Sequence, residues 1–129
     1  MPFTQVIGYS FSQNGGNATQ FSSSSSSDGE TNIDTIVASG ASAATLICPV
    51  ATSGLLSVVM WSDVSSMSVA FKNGAGSTLQ TLNFNANQPL IWSSGSPTAC
   101  PLSGSIETLA VTNSAASSGR LRGFFLQNF

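Results

Sequence analysis

The chain predicts an all-β protein, a two-sheet antiparallel β-sandwich of jelly-roll-like type with about eight strands and an N-terminal arm. Three observations carry this. Short runs of β-branched and aromatic residues alternate with period two, and clusters of Gly, Asn, Ser and Pro cut them as turns do. Helical periodicity is nearly absent. The 129 residues suit one domain, and a chain of this size buries roughly two thirds of its unfolded surface, enough for a core without staples.

Thr4 to Phe11 reads as a first strand, and Gln13-Asn14-Gly15-Gly16-Asn17 as a turn, because asparagine and glycine tolerate positive φ. Ser22 to Ser27 is a run of six serines followed by Asp28-Gly29-Glu30. Nothing there buries apolar surface, so the segment reads as a mobile loop or linker. The chain then divides into an arm over residues 1–30 and a sandwich body over residues 31–129.

Body strands are expected near Asn32 to Ala38, Thr45 to Val50, Leu55 to Asp63, Ser66 to Lys72, Thr78 to Asn85, Pro89 to Ser93, Ser105 to Thr112 and Arg120 to Gln127, a regular spacing that suits a sandwich or barrel. The clearest alternation sets Met67, Val69 and Phe71 on one face and Ser68, Ala70 and Lys72 on the other. Asn73-Gly74-Ala75-Gly76 supplies the hairpin turn after it. Leu55 to Trp61 is apolar on both faces, with Leu56, Val58 and Met60 on one and Leu55, Val59 and Trp61 on the other. Such a strand is covered twice or faces another subunit.

Charge is scarce. Asp28, Glu30, Asp34, Asp63 and Glu107 stand against Lys72, Arg120 and Arg122, a net charge of −2, where an average domain is about a quarter charged. Three basic residues leave no footprint for a phosphate backbone or an anionic lipid surface, and no apolar run approaches the roughly 20 residues of a spanning helix. Neither nucleic acid nor membrane is an expected partner. Met1-Pro2-Phe3-Thr4-Gln5 has no basic region followed by an apolar one, so no signal peptide is read and synthesis in a host cytoplasm is expected. Asn17-Ala18-Thr19 is then a chance sequon. In that compartment Cys48 and Cys100 read as small hydrophobes in preference to a disulfide.

Without histidine the chain lacks the ordinary general base, the imidazole of a nucleophilic triad and the commonest metal ligand. Cys48 and Cys100 alone do not make a zinc site. Asp63 and Glu107 are the one acid pair a glycosidase mechanism would draw on, but isolated acids on strands are ordinarily solvated charges. Asp28-Gly29-Glu30 falls short of the six to eight oxygens calcium takes. Gly74-Ala75-Gly76 lacks the third glycine and the helix of a dinucleotide loop. No catalytic, cofactor-binding or metal-binding residue is expected, and the chain reads as no enzyme.

Eight phenylalanines and two tryptophans must be placed in this small body, most of them in the core. For Trp61 and Trp92, burial against the opposite sheet is favoured over a sugar-stacking platform. Gly123-Phe124-Phe125-Leu126-Gln127-Asn128-Phe129 is too apolar for a fraying end and is expected to be pinned in the sheet or against a neighbour.

The arm, the stretch Thr81-Leu82-Asn83-Phe84-Asn85-Ala86-Asn87-Gln88-Pro89-Leu90-Ile91-Trp92 and the following Pro101-Leu102-Ser103-Gly104-Ser105-Ile106-Glu107-Thr108-Leu109 together resemble small β-sandwich decoration or cement-type virion proteins of tailed bacteriophages. The resemblance implies a homo-oligomer, often a trimer, seated on a major capsid protein in the virion, with the arm touching the shell or a neighbour. A charge-poor surface suits such packing, since few charges need be desolvated. The residues expected at a subunit or shell interface are Phe3, Phe11, Phe21, Leu55, Val59, Trp61, Phe125 and Phe129. The competing expectation is a carbohydrate-binding β-sandwich, lectin-like or part of a receptor-binding fibre, with a glycan on an exposed Trp61 or Trp92.

Overall fold

A computed structural model describes residues 3–12 and 15–128. Ten strands run along them: β1 (Phe3–Phe11), β2 (Thr19–Ser27), β3 (Gly29–Val37), β4 (Ala44–Ala51), β5 (Leu55–Ser62), β6 (Met67–Lys72), β7 (Thr78–Phe84), β8 (Leu90–Ser93), β9 (Ser105–Asn113) and β10 (Gly119–Gln127). A single 3-10 turn at Thr52–Gly54 interrupts them between β4 and β5. The body is two packed four-stranded sheets, ordered β3-β10-β5-β8 and β4-β9-β6-β7, and β1 and β2 form a separate two-stranded ribbon. Every strand pair is antiparallel.

Alternation builds the core. From the first sheet Ile33, Val58, Met60, Leu121 and Phe125 point inward, and from the second Val50, Met67, Val69, Phe71, Leu109 and Val111 meet them, all buried. Met67, Val69 and Phe71 alternate with half-buried Ser68, Ala70 and Lys72, as their spacing predicts. The turn after them is set by Asn73, whose Oδ1 accepts the N–H groups of Ala75 and Ser77, both at 3.0 Å. Gly76 supplies the positive φ, +81°, that a side chain would resist.

Two irregularities change the sequence reading. The register of β10 against β5 shifts between Leu126 and Gln127, and the bulge turns Leu55 inward, away from the face of Val59 and Trp61. Leu55 is 4% exposed and Phe125 fully buried, so both expected interface residues belong to the core instead. The serine run, expected as a mobile linker, is most of strand β2, with Ser22 to Ser26 opposite Gly8 to Thr4 on β1. Main-chain hydrogen bonds to an apolar partner strand suffice there, because a strand does not require apolar side chains of its own. The first strand of the body sheets, β3, starts at Gly29. Of the expected turn at residues 13–17, Gln13 and Asn14 lie outside the described residues.

Two buried amides tie the sheets together. Gln127 on β10 reaches across to β4, donating to Pro49 O at 3.2 Å and Thr31 Oγ1 at 2.9 Å and accepting from Ala51 N at 3.2 Å. It thereby serves the stretch where the β4 register breaks, between Ile47 and Val50. Asn113 on β9 crosses in the opposite sense, donating to Val37 O at 3.0 Å and to Ser117 O at 3.1 Å, with Ala115 N bonded to its Oδ1 at 3.0 Å. Both side chains are fully buried, so each bond is made where an orphaned group costs most.

Replacing Gln127 by methionine keeps the volume and leaves the Ala51 N–H without its side-chain acceptor. Urea titration should show Gln127→Met less stable by about 1–3 kcal/mol with an unchanged m-value.

Candidate functional site

The outer face of the first sheet is read from its registers. Asp34, Arg122 and Trp61 are opposed across β3, β10 and β5; Asn32, Phe124, Val59 and Ile91 form the next row; Glu30, Leu126, Ser57 and Ser93 form the last. That last row is covered except at Glu30, which is exposed. Leu126 is fully buried, Ser57 1% exposed and Ser93 6%, because the ribbon lies across it.

The ribbon crosses the sheet strands. Ser27 joins it to β3 through the single residue Asp28, its hydroxyl donating to Gly29 O at 2.6 Å. Gln5 then accepts a hydrogen bond from Ser57 on β5, and Ser23 donates to Ser93 on β8 at 3.4 Å. Ile7 is buried at the middle of the crossing, 7% exposed. Beyond it the ribbon overhangs the sheet: Tyr9 and Phe21 are opposite each other in the register and line a cavity of about 570 Å³ with Ser93, Gly95, Ser96 and Pro97. Tyr9 (40% exposed), Phe21 (57%) and Phe11 (62%) are, with Phe3, the exposed aromatic side chains of the described residues.

Beside β1 a groove of about 390 Å³ opens over the uncovered rows. Val59, Trp61 and Phe124 floor it, Thr4 to Ile7 wall it on the ribbon side, and Glu30 and Asn32 of β3 line it as well. Asn32 Nδ2 donates to Glu30 Oε1 at 2.9 Å. Trp61 and Phe124 have ring centroids 5.8 Å apart, and the Arg122 guanidinium stands 5.3 Å from one ring centre and 5.5 Å from the other, an attraction of order 1 kcal/mol at a half-exposed site.

Asp34 orders this cluster. It takes both Arg120 nitrogens at 2.7 Å, and Arg122 Nε lies 3.7 Å from it. The Arg120 hydrogen bonds above all, then attraction to both guanidinium groups, hold the Asp34 carboxyl below its usual range against some desolvation. The pair is exposed, so its effect is to orient Arg122 over the rings more than to stabilise the fold.

The expected interface residues thus divide. Phe3, 42% exposed, Phe11 and Phe21 are on the ribbon; Val59 and Trp61 floor the groove; Leu55 and Phe125 are core; Phe129 lies outside the described residues. Tyr9, Phe124, Asn32 and Glu30 belong with them and escaped the sequence reading, although the alternation of Tyr9 with Ile7 and of Phe124 with Arg122 was visible. Trp92 faces inward beside the core, its indole N–H donating to Thr98 O at 3.1 Å. Asp63 and Glu107 are not brought together. Asp63 follows β5 and accepts the Arg120 N–H at 2.7 Å, while Glu107 is on β9 of the other sheet, next to Gly74. Cys48 and Cys100 are free thiols, and burial pushes that of Cys48 up to about 12.

No family model, no curated protein and no solved structure matches the chain.

Two outcomes follow from this chemistry. A carboxylate with a lowered folded pKa stabilises the fold above its unfolded pKa, and the contribution is lost as pH falls through the folded value. Asp34→Asn should therefore melt below the parent at pH 7, and the gap should close on acidification through and below the usual carboxylate range. Iodoacetamide at pH 8 should alkylate Cys100 in the native protein and leave Cys48 unmodified until denaturant is added, as peptide mass mapping would show.

Proposed function

We propose that the chain is a structural subunit of a virus particle, a jelly-roll unit of the decoration or cement type that coats or stabilises a bacteriophage shell. It works as a homo-oligomer, a trimer, seated on a major capsid protein, and its place is the virion. The ribbon is its means of attachment.

The observation that carries the reading is the overhanging ribbon. Tyr9, Phe11 and Phe21 are all exposed on an element that is anchored at its base. An aromatic surface of this kind, on a mostly uncharged chain, suits burial in an assembly. The strand order supports it as well. Counting only body strands, the sheets run 1-8-3-6 and 2-7-4-5, the wrapping of a jelly roll, an architecture common in viral capsid domains. The outer face of the second sheet sets small residues such as Thr45, Ser68, Ala70, Thr81 and Thr108 around Lys72 and Ile47, which is 82% exposed, an apolar side chain that also suits burial against a neighbour.

Light scattering after size exclusion, across a wide concentration range, tests this. The parent protein should run as a closed oligomer of trimer mass, and Phe11→Ser with Phe21→Ser should give a folded monomer with the parent's circular dichroism spectrum, because neither residue is in the core. A parent that is monomeric at every concentration would remove the reading.

A further inference from the structure

The structure holds several open strand edges, and most are defended. β3 carries Glu30 and Asp34, β4 has Pro49 and a broken register, and β8 is four residues long. Charges, prolines, bulges and shortness are the usual means of keeping a sheet from accepting a foreign strand. β1 has none of them. Its nine residues, Phe-Thr-Gln-Val-Ile-Gly-Tyr-Ser-Phe, include no charge and no proline, it pairs with β2 alone, and no other backbone hydrogen bond reaches it among the described residues. β7 has a bulge at Leu79, where its register steps from Gln80 to Thr78; β2 is similarly bare, but the cavity beside it is bounded by the 95–97 loop, not by a sheet.

The open edge of β1 borders a sheet face, the groove floored by Val59, Trp61 and Phe124. A strand added there would lie about 4.8 Å from β1 and about 10 Å above the first sheet, the ordinary spacings within and between sheets. Every second side chain would then point down onto the aromatic floor. The added strand would also continue the crossing that β1 and β2 begin, making a three-stranded layer over a sheet it meets at a steep angle, a known way for sheets to pack. β1 is a firm template, held by Ile7 and by the Gln5–Ser57 hydrogen bond.

The geometry points to β1 as a β-augmentation site that captures an extended, uncharged peptide segment of a partner chain, apolar at alternate positions. Among the described residues no segment occupies the groove or pairs with the open edge of β1, and an uncharged edge over an aromatic floor suits an uncharged strand with apolar side chains on one face. The inference does not rest on the virion reading, since a strand-capturing monomer would satisfy it, and the two fail separately.

The test is selection of linear peptides from a random library on the immobilised full-length protein. Enrichment of uncharged sequences with apolar residues at every second position is expected. By calorimetry the tightest peptide should bind Trp61→Ser roughly ten-fold or more weakly, as when an anchoring aromatic is lost. Should that variant fail to fold, Val59→Thr takes its place. N-methylating one alternate set of the peptide's amides should abolish binding and methylating the other set should be tolerated, because only one edge of the strand meets β1. No enriched peptide, equal tolerance of both methylated sets, or affinity indifferent to the floor variants would overturn the proposal. Saccharides binding the groove in place of peptides would do so too.

Discussion

Everything outside the sandwich depends on the apolar layer inside it. In a chain with eight charged residues there is little electrostatic means of fixing one sheet on another. The two inner faces must therefore be matched by alternation alone, with Phe71, Leu109 and Val111 set against Met60, Leu121 and Phe125. Once the inner faces are fixed, the period of two fixes the outer ones. Trp61, Arg122 and Phe124 are outside because Met60, Leu121 and Phe125 are inside. The aromatic floor of the groove is thus a consequence of the core register, and a slip of one residue in β10 would exchange the two.

The polar groups inside that layer are few and each is placed at a seam. Gln127 serves the break in β4, and Asn113 holds the ends of the β3–β4 and β9–β10 connections. At the opposite end of β10, Arg120 is tied through its main chain to Asp63 and through its side chain to Asp34. Gly54 lets the chain end close on this frame: its carbonyl accepts the Asn128 N–H at 2.9 Å, and a Cβ there would overlap the Asn128 carbonyl. β10 is accordingly the strand through which the two sheets, the Asp34–Arg120 pair and the ribbon's covered row are joined.

Much of the fold was legible because strand and turn signals are local. Met67 to Lys72 alternates, Asn73 and Gly76 mark the turn, and the apolar stretches near Leu55 and Phe124 mark central strands by being apolar on both sides. What local signals leave out is pairing. The serine run has no pattern of its own and becomes a strand only through its register with β1, whose apolar residues cover the first sheet. Leu55 changes face through a bulge that depends on β10. The groove itself was half legible, in Val59 and Trp61 but not in Glu30, Asn32 or Phe124, since it exists only where β1, β3, β5 and β10 meet. Physical periodicity writes faces into a sequence; it does not write which faces meet.

Amide hydrogen exchange on the intact protein, resolved residue by residue, tests most directly whether residues 3–27 are a fixed ribbon with one open edge. Along β1, protection should alternate, with the amides turned toward β2 slow and those turned toward the groove fast, and the serines of β2 should show the same alternation. Uniformly fast exchange from Phe3 to Ser27 would mean that the serine run is a loose tether after all, and would contradict both the anchored ribbon and the functions built on it.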